Sequence, residues 1–186
     1  MTFPIIILDA SCVITLVASG VFAELAESLE AQFAIAELVY SKALIYTLSG
    51  QQDQDGLPIK LPVDLRPYLE AGWLEVVDFS SEAEERAFVT YASQLDAAEA
   101  VTLAMAGERG WAAATDDRKA IRVAASLRGP LRVWTTPDLI RHWAEVRKVQ
   151  QTALRGVLNR IQAGVRYHPR RGDALYSWWS ERLEED

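Results

Sequence analysis

Ile5-Ile6-Ile7-Leu8-Asp9 is a short, unbroken, β-branched run that stops on a carboxylate. An apolar run of that length, without polar alternation, is the mark of a strand buried on both faces of a parallel sheet. The carboxyl ends of such strands are where open α/β sheets place their ligands. Asp9 is therefore a candidate site residue. Four further runs read as strands: Phe33-Ala34-Ile35-Ala36, residues 73–79, residues 111–115 and Leu131-Arg132-Val133-Trp134. Helical stretches separate them. They are expected over 12–30, with Ser11 as a cap and a break at Gly20, and over 37–49 and 65–69. Another opens at Ser81, with Glu84 at capping-box spacing. Two more run from Asp96 to Gly107 or Gly110, and over 117–127, closed by Gly129-Pro130. Gln51 to Pro62 reads as a polar loop. Strands alternating with helices predict an α/β fold, a three-layer α/β/α arrangement around a central parallel sheet.

From Pro137 onward the pattern is helical. Val146, Val149, Ala153, Val157 and Ile161 recur at spacings of three and four and form one apolar stripe. Gly164 reads as a break and His168-Pro169-Arg170-Arg171-Gly172 as a loop. A terminal helix carries Trp178 and Trp179, which are expected to pack that helix down. The expected division is a domain over 1–150 and a C-terminal helical extension over 151–186 packed on it.

Composition narrows the function classes. The chain has 186 residues and half of them are apolar, enough for a sizeable core. No apolar stretch approaches the ~20 residues of a membrane span, and no basic region precedes Ile5, so neither a membrane segment nor a signal peptide is expected. The lone Cys12 excludes an internal disulfide and fits a reducing cytoplasm, the expected location. It reads as a small buried residue at a helix start. With only His142 and His168 beside it, no zinc site is expected. The net charge of −7 conceals an asymmetry. Residues 1–117 hold 5 Lys/Arg against 19 Asp/Glu, whereas residues 118–186 hold 14 against 7. Such a split points to a polyanion or an acidic protein as partner, or to basic solvated helix faces.

Four acids carry the chemistry. Asp9 ends the first strand, Asp116 and Asp117 follow the small apolar run of the fourth, and Glu99 opens an alanine-rich helix. Carboxylates gathered at one sheet edge repel one another, so at least one is expected to have a raised pKa unless a cation is bound. Oxygen-only ligands of this kind suit Mg²⁺ or Mn²⁺. Each acid also has a structural reading: Asp9 and Asp116 as helix N-caps, and Glu99 as the capping-box partner of Asp96.

Leu8-Asp9-Ala10-Ser11, the Glu99 segment with Ala100, Ala104 and Ala106, and Thr115-Asp116-Asp117-Arg118-Lys119-Ala120 occur in a characteristic order. With Thr135-Thr136 before Leu139-Ile140, this pattern resembles the PIN-domain family, which includes VapC-type toxin ribonucleases, over roughly residues 5–150. The resemblance implies a PIN-like fold and a site in which Asp9, Glu99 and Asp116 hold Mg²⁺ or Mn²⁺. It also implies that a metal-bound water attacks an RNA phosphodiester. Asp117 and Glu37 are further metal candidates, and Ser11, Thr115 and Lys42 are expected behind the ligands. One position departs from the family pattern. Lys42 stands where relatives carry a glutamate in the helix after the second strand. Glu37, five residues earlier, points about 140° away on a helix. A Lys42 ammonium among the acids would compete with the metal.

Two functions follow. One is a metal-dependent endoribonuclease, including the case of a toxin restrained by an antitoxin protein. The other is a non-catalytic PIN-like module that binds RNA or a protein partner. A homodimer is compatible with both.

Overall fold

A computed structural model describes residues 4–42, 45–126 and 131–184. Seven strands and ten helices are found among them. Along the chain they are β1 (Ile5–Leu8), α1 (Ala10–Ser19), α2 (Phe22–Leu29), β2 (Gln32–Ala36) and α3 (Glu37–Lys42). Next come β3 (Tyr46–Gln52), β4 (Pro58–Pro62), α4 (Arg66–Glu70), β5 (Leu74–Val77), α5 (Glu82–Ala92) and α6 (Ala97–Arg109). The last are β6 (Ala112–Ala114), α7 (Arg118–Ala125), β7 (Val133–Trp134), α8 (Thr136–Val146), α9 (Gln151–Val165) and α10 (Tyr176–Leu183).

Five strands form a parallel sheet in the order β5-β2-β1-β6-β7, flanked by helices as a three-layer α/β/α sandwich. β1 lies at the centre, and Ile7 and Leu8 are fully buried. Burial of side chains this size contributes roughly 1.5–3 kcal/mol each. α6 packs directly on β1, β2 and β6, with α5 outside it. On the remaining helices, α1 packs against α2, α8 and α9. Gly20 ends α1 with a φ of 73°, a left-handed conformation that glycine adopts without strain. α1 and α2 meet there at 109°, and no single helix among the described residues is long and apolar enough to cross a membrane.

Register sets the site. Leu8 pairs with Ala114, and Ala114 with Trp134. Asp9, Thr115 and Thr135 therefore leave the sheet at one level, and Asp9 N–H donates to the Ala114 carbonyl at 3.0 Å. α6 runs back against the strands, which brings its N-terminus and Glu99 to the same edge.

The structure departs from the sequence reading in three places. Of the helix expected over 37–49, Glu37–Lys42 is helical, and Tyr46–Gln52 pairs instead with Pro58–Pro62 as an antiparallel hairpin, where a loop was expected over 51–62. The helix from residue 137 breaks after Val146, with Lys148 at a φ of 49°, so Val146 lies outside the buried stripe at 51% exposure. α9 continues through Gly164 to Val165 and buries Leu154, Val157, Leu158 and Ile161. The expected stop at Gly129-Pro130 and the residues Ala43 and Leu44 lie outside the described residues.

Candidate active site

Asp9 is 4% exposed. Its Oδ1 accepts from the Cys12 amide at 2.8 Å and from Ser11 Oγ at 2.7 Å. Asp9, not Ser11, is thus the N-cap of α1, and Ser11 orients its carboxylate. Burial raises the Asp9 pKa, against hydrogen bonds from Thr115, Cys12 and Ser11 that lower it. Thr115, buried behind it, also accepts from the Asp117 amide at 3.2 Å.

Asp116 is the most heavily bonded acid of the site. Its Oδ1 accepts from the Thr136 amide at 2.8 Å and from Tyr167 Oη at 3.0 Å. Its Oδ2 accepts from Thr136 Oγ1 at 2.6 Å and from the Cys12 thiol at 3.7 Å. Burial pushes its pKa up to about 6, and the charge of Asp9 adds to this against the hydrogen bonds. The same burial, with Asp116 and Asp9 nearby, raises the Cys12 thiol, which argues against a nucleophilic role. Asp116 does not cap α7. Asp117 does, with Oδ1 accepting from the Lys119 amide at 2.7 Å and the Ala120 amide at 2.8 Å.

Glu99 completes a capping box. Its amide donates to Asp96 Oδ1 at 2.9 Å, and its Oε2 accepts from the Asp96 amide at 3.3 Å. Burial raises its pKa, with the charges of Asp96, Asp117 and Asp9 adding to it. Asp9, Asp96, Glu99, Asp116 and Asp117 all line one cavity of about 830 Å³. The capping readings and the site reading therefore coexist. A cap uses one carboxylate oxygen, and Glu99 Oε1 and Asp117 Oδ2 have no protein donor among the described residues.

The expected convergence on one ion is not reproduced. Among the described residues, no three His, Cys, Asp or Glu side chains are grouped to hold a single metal. As they stand, Asp9 and Asp117 cap helices, Glu99 closes a capping box, and Asp116 accepts from four donors. The donor chemistry itself fits a hard divalent cation. The donors are oxygens only, and Asp9, Glu99 and Asp116 all have raised pKa values and no ion-pair partner among the described residues.

Lys42 does not supply that charge. It is exposed at the end of α3, does not line the cavity, and makes no ion pair among the described residues. The expectation of an ammonium among the acids is corrected: α3 leaves the sheet edge with Lys42 on its solvent side. Glu37, the first residue of α3, also lies off the cavity lining. Two residues without an assigned role in the sequence reading belong to the site. Thr136 starts α8 next to the Thr135 cap. Tyr167, 51 residues from Asp116, is packed edge-on against Trp179 at 5.6 Å. Thr136 stands in a quoted family motif, whereas nothing local marks Tyr167.

A family model described as PIN domain matches residues 5–180. The chain belongs to the PIN-domain family. PIN domains are a nuclease fold, generally dependent on divalent metals. The match runs beyond residue 150 and takes in Tyr167 and Trp179 of this PIN domain. No curated protein matches the chain.

Proposed function

We propose that this PIN domain is a metal-dependent endoribonuclease hydrolysing RNA phosphodiesters. One observation carries the reading: three carboxylates with raised pKa values, Asp9, Glu99 and Asp116, line one cavity at the carboxyl edge of the sheet. These three would hold Mg²⁺ or Mn²⁺ directly or through bound water, since they are not grouped around one ion as they stand, with Asp117 adding a contact through water. Bound there, the ion polarises the scissile phosphate and acidifies a water. The chain's own residues do the rest. Ser11 and the Cys12 amide fix the Asp9 carboxylate. Thr136 fixes Asp116 through both its amide and its hydroxyl. Glu99 keeps Oε1 open, and a carboxylate with a raised pKa is suited to take a proton from water.

The test is thermal unfolding with Mn²⁺, combined with cleavage of a labelled RNA. A stabilising shift and cleavage in the wild type, both lost in Asp9→Asn, support the proposal. For the toxin form of the activity, expression would arrest growth in the wild type and not in Asp9→Asn. A second reading, a non-catalytic module binding RNA or protein, is favoured by the four donors on Asp116. It predicts no Mn²⁺ shift and no cleavage.

A further inference from the structure

The cavity has two chemical halves. The acids stand on the sheet side. Two segments outside the sheet supply the basic part of the lining: the β3–β4 hairpin, with Tyr46 and Lys60, and the stretch after α9, with Arg166, Tyr167, His168 and Arg170. Arg118 lines the cavity too, but its Nε donates to Asp173 Oδ1 at 3.0 Å. The second Asp173 oxygen takes the Arg170 amide at 2.6 Å. Lys60, Arg166 and Arg170 have no carboxylate partner among the described residues. Lys60 Nζ sits 4.2 Å from the Tyr46 ring centroid, a cation–π contact that tethers it to the hairpin. Three cations without an ion-pair partner thus share a cavity with six carboxylates, of which Asp173 is held by Arg118 and the Arg170 amide.

We infer that this basic wall holds the backbone of a single nucleic-acid strand. Lys60 on one side, and Arg166 and Arg170 on the other, take the phosphates that flank the one presented to the acids. The inference rests on the nuclease reading and names the elements that position its substrate. An acidic protein segment fits less well, since its carboxylates would enter a space already lined by carboxylates. A strand can meet cations along one edge and present a phosphate to the acids along the other. Asp9 is recessed at 4% exposure, while Glu99, Asp116 and Asp117 are half-buried, which favours a flexible single strand over the stiff backbone of a duplex.

The test is equilibrium binding of a labelled single-stranded RNA to the full chain in EDTA, where metal-dependent cleavage is off. The protein is compared with a Lys60→Gln/Arg166→Gln/Arg170→Gln variant. All three residues are exposed, so the fold is expected to persist, with an unchanged melting temperature as the check. Each lost phosphate contact lowers the slope of log affinity against log salt by about 0.7 for a single strand. The triple variant is expected to lose about 2 in slope and at least tenfold in affinity at low salt. Lys148→Gln, off the cavity lining, is expected to bind like the wild type. A DNA strand that binds equally well shows that the wall reads phosphate, and one that binds weakly shows that it also reads the 2′-hydroxyl. Unchanged affinity and slope in the triple variant, with normal RNA cleavage in Mn²⁺, overturn the wall and leave the nuclease reading standing. A wild type that neither binds nor cleaves overturns both. Equal affinity for an acidic peptide overturns the choice of partner.

Discussion

At Asp116 the protein holds a carboxylate that it does not favour ionised. The folded pKa, about 6, lies above the ordinary 3.8. A raised pKa of this sign stabilises the fold fully below the unfolded value and loses that contribution as pH rises through the folded one. Without metal, Asp116→Asn should gain on the wild type by up to about 3 kcal/mol between pH 3.8 and pH 8. Urea unfolding across that range in EDTA checks it, and a flat difference would show that Asp116 titrates as an ordinary carboxylate. Tyr167 is the neighbour to remove next. Tyr167→Phe keeps the ring against Trp179 and deletes the hydroxyl that bonds Asp116 Oδ1. A hydrogen bond to a charged group is worth about 1.5–3 kcal/mol, so freeing that oxygen should tighten Mn²⁺ binding roughly tenfold. Calorimetric titration with Mn²⁺ reads this, and unchanged affinity removes Asp116 from the ligand set. Sequence could single out Asp9, Glu99 and Asp116, because each follows a strand or opens a helix in a recognisable pattern. It could not place Tyr167, whose contact depends on how α9 ends. It misplaced Lys42, because a position in a family pattern does not say which way a short helix turns its last residue.

Among the elements, α5 and α6 are joined by one buried ion pair. Glu84 is 2% exposed and accepts from Arg109 Nε and Nη2 at 2.9 Å each, and from the Ser80 amide and hydroxyl. The sequence reading cast Glu84 as the capping-box partner of Ser81. Ser81 does cap α5, but the Glu84 side chain turns to Ser80 and Arg109 instead. The Arg109 hydrogen bonds are the largest cause holding its pKa down to about 2, from 4.5. A lowered carboxylate pKa contributes stability above the unfolded value, and that contribution is lost as pH falls from 4.5 toward 2. Glu84→Gln should cost about 3 kcal/mol at pH 7. The gap should close over that acid window, as followed by denaturant unfolding. The strands of the main sheet were legible because each is a compact apolar run. The β3–β4 hairpin was not. Ser49-Gly50-Gln51-Gln52 carries no alternation, no residue of either strand is fully buried, and Leu38, Val39, Ile45 and Leu48 imitate a helical stripe.

Over the whole molecule, the C-terminal segment is part of the site. α9 packs on α1 and β3, α10 packs on α9, and the loop between α9 and α10 supplies Tyr167, Arg170 and Asp173 to the cavity. We expect residues 4–184 to unfold as one cooperative unit. Leu158→Ala, at a fully buried position of α9, should cost about 2–5 kcal/mol. It should lower a single unfolding transition seen alike by tryptophan fluorescence and by circular dichroism. Two separate transitions would instead mark residue 150 as a true domain boundary. The sheet order β5-β2-β1-β6-β7 adds a consequence in time. Of the sheet's strands, the middle one, β1, is made first and the edge strand β7 last. All the acids of the cavity lie at or before Asp117, except Asp173. The threonine and tyrosine that seat Asp116, and two of the three unpaired cations of the basic wall, lie beyond residue 135. A nascent chain therefore presents most of the cavity's carboxylates before Arg166 and Arg170, two of the cations proposed to hold phosphate, have been made. On the proposed reading, a chain still short of Arg170 could not hold the RNA from which it is being made.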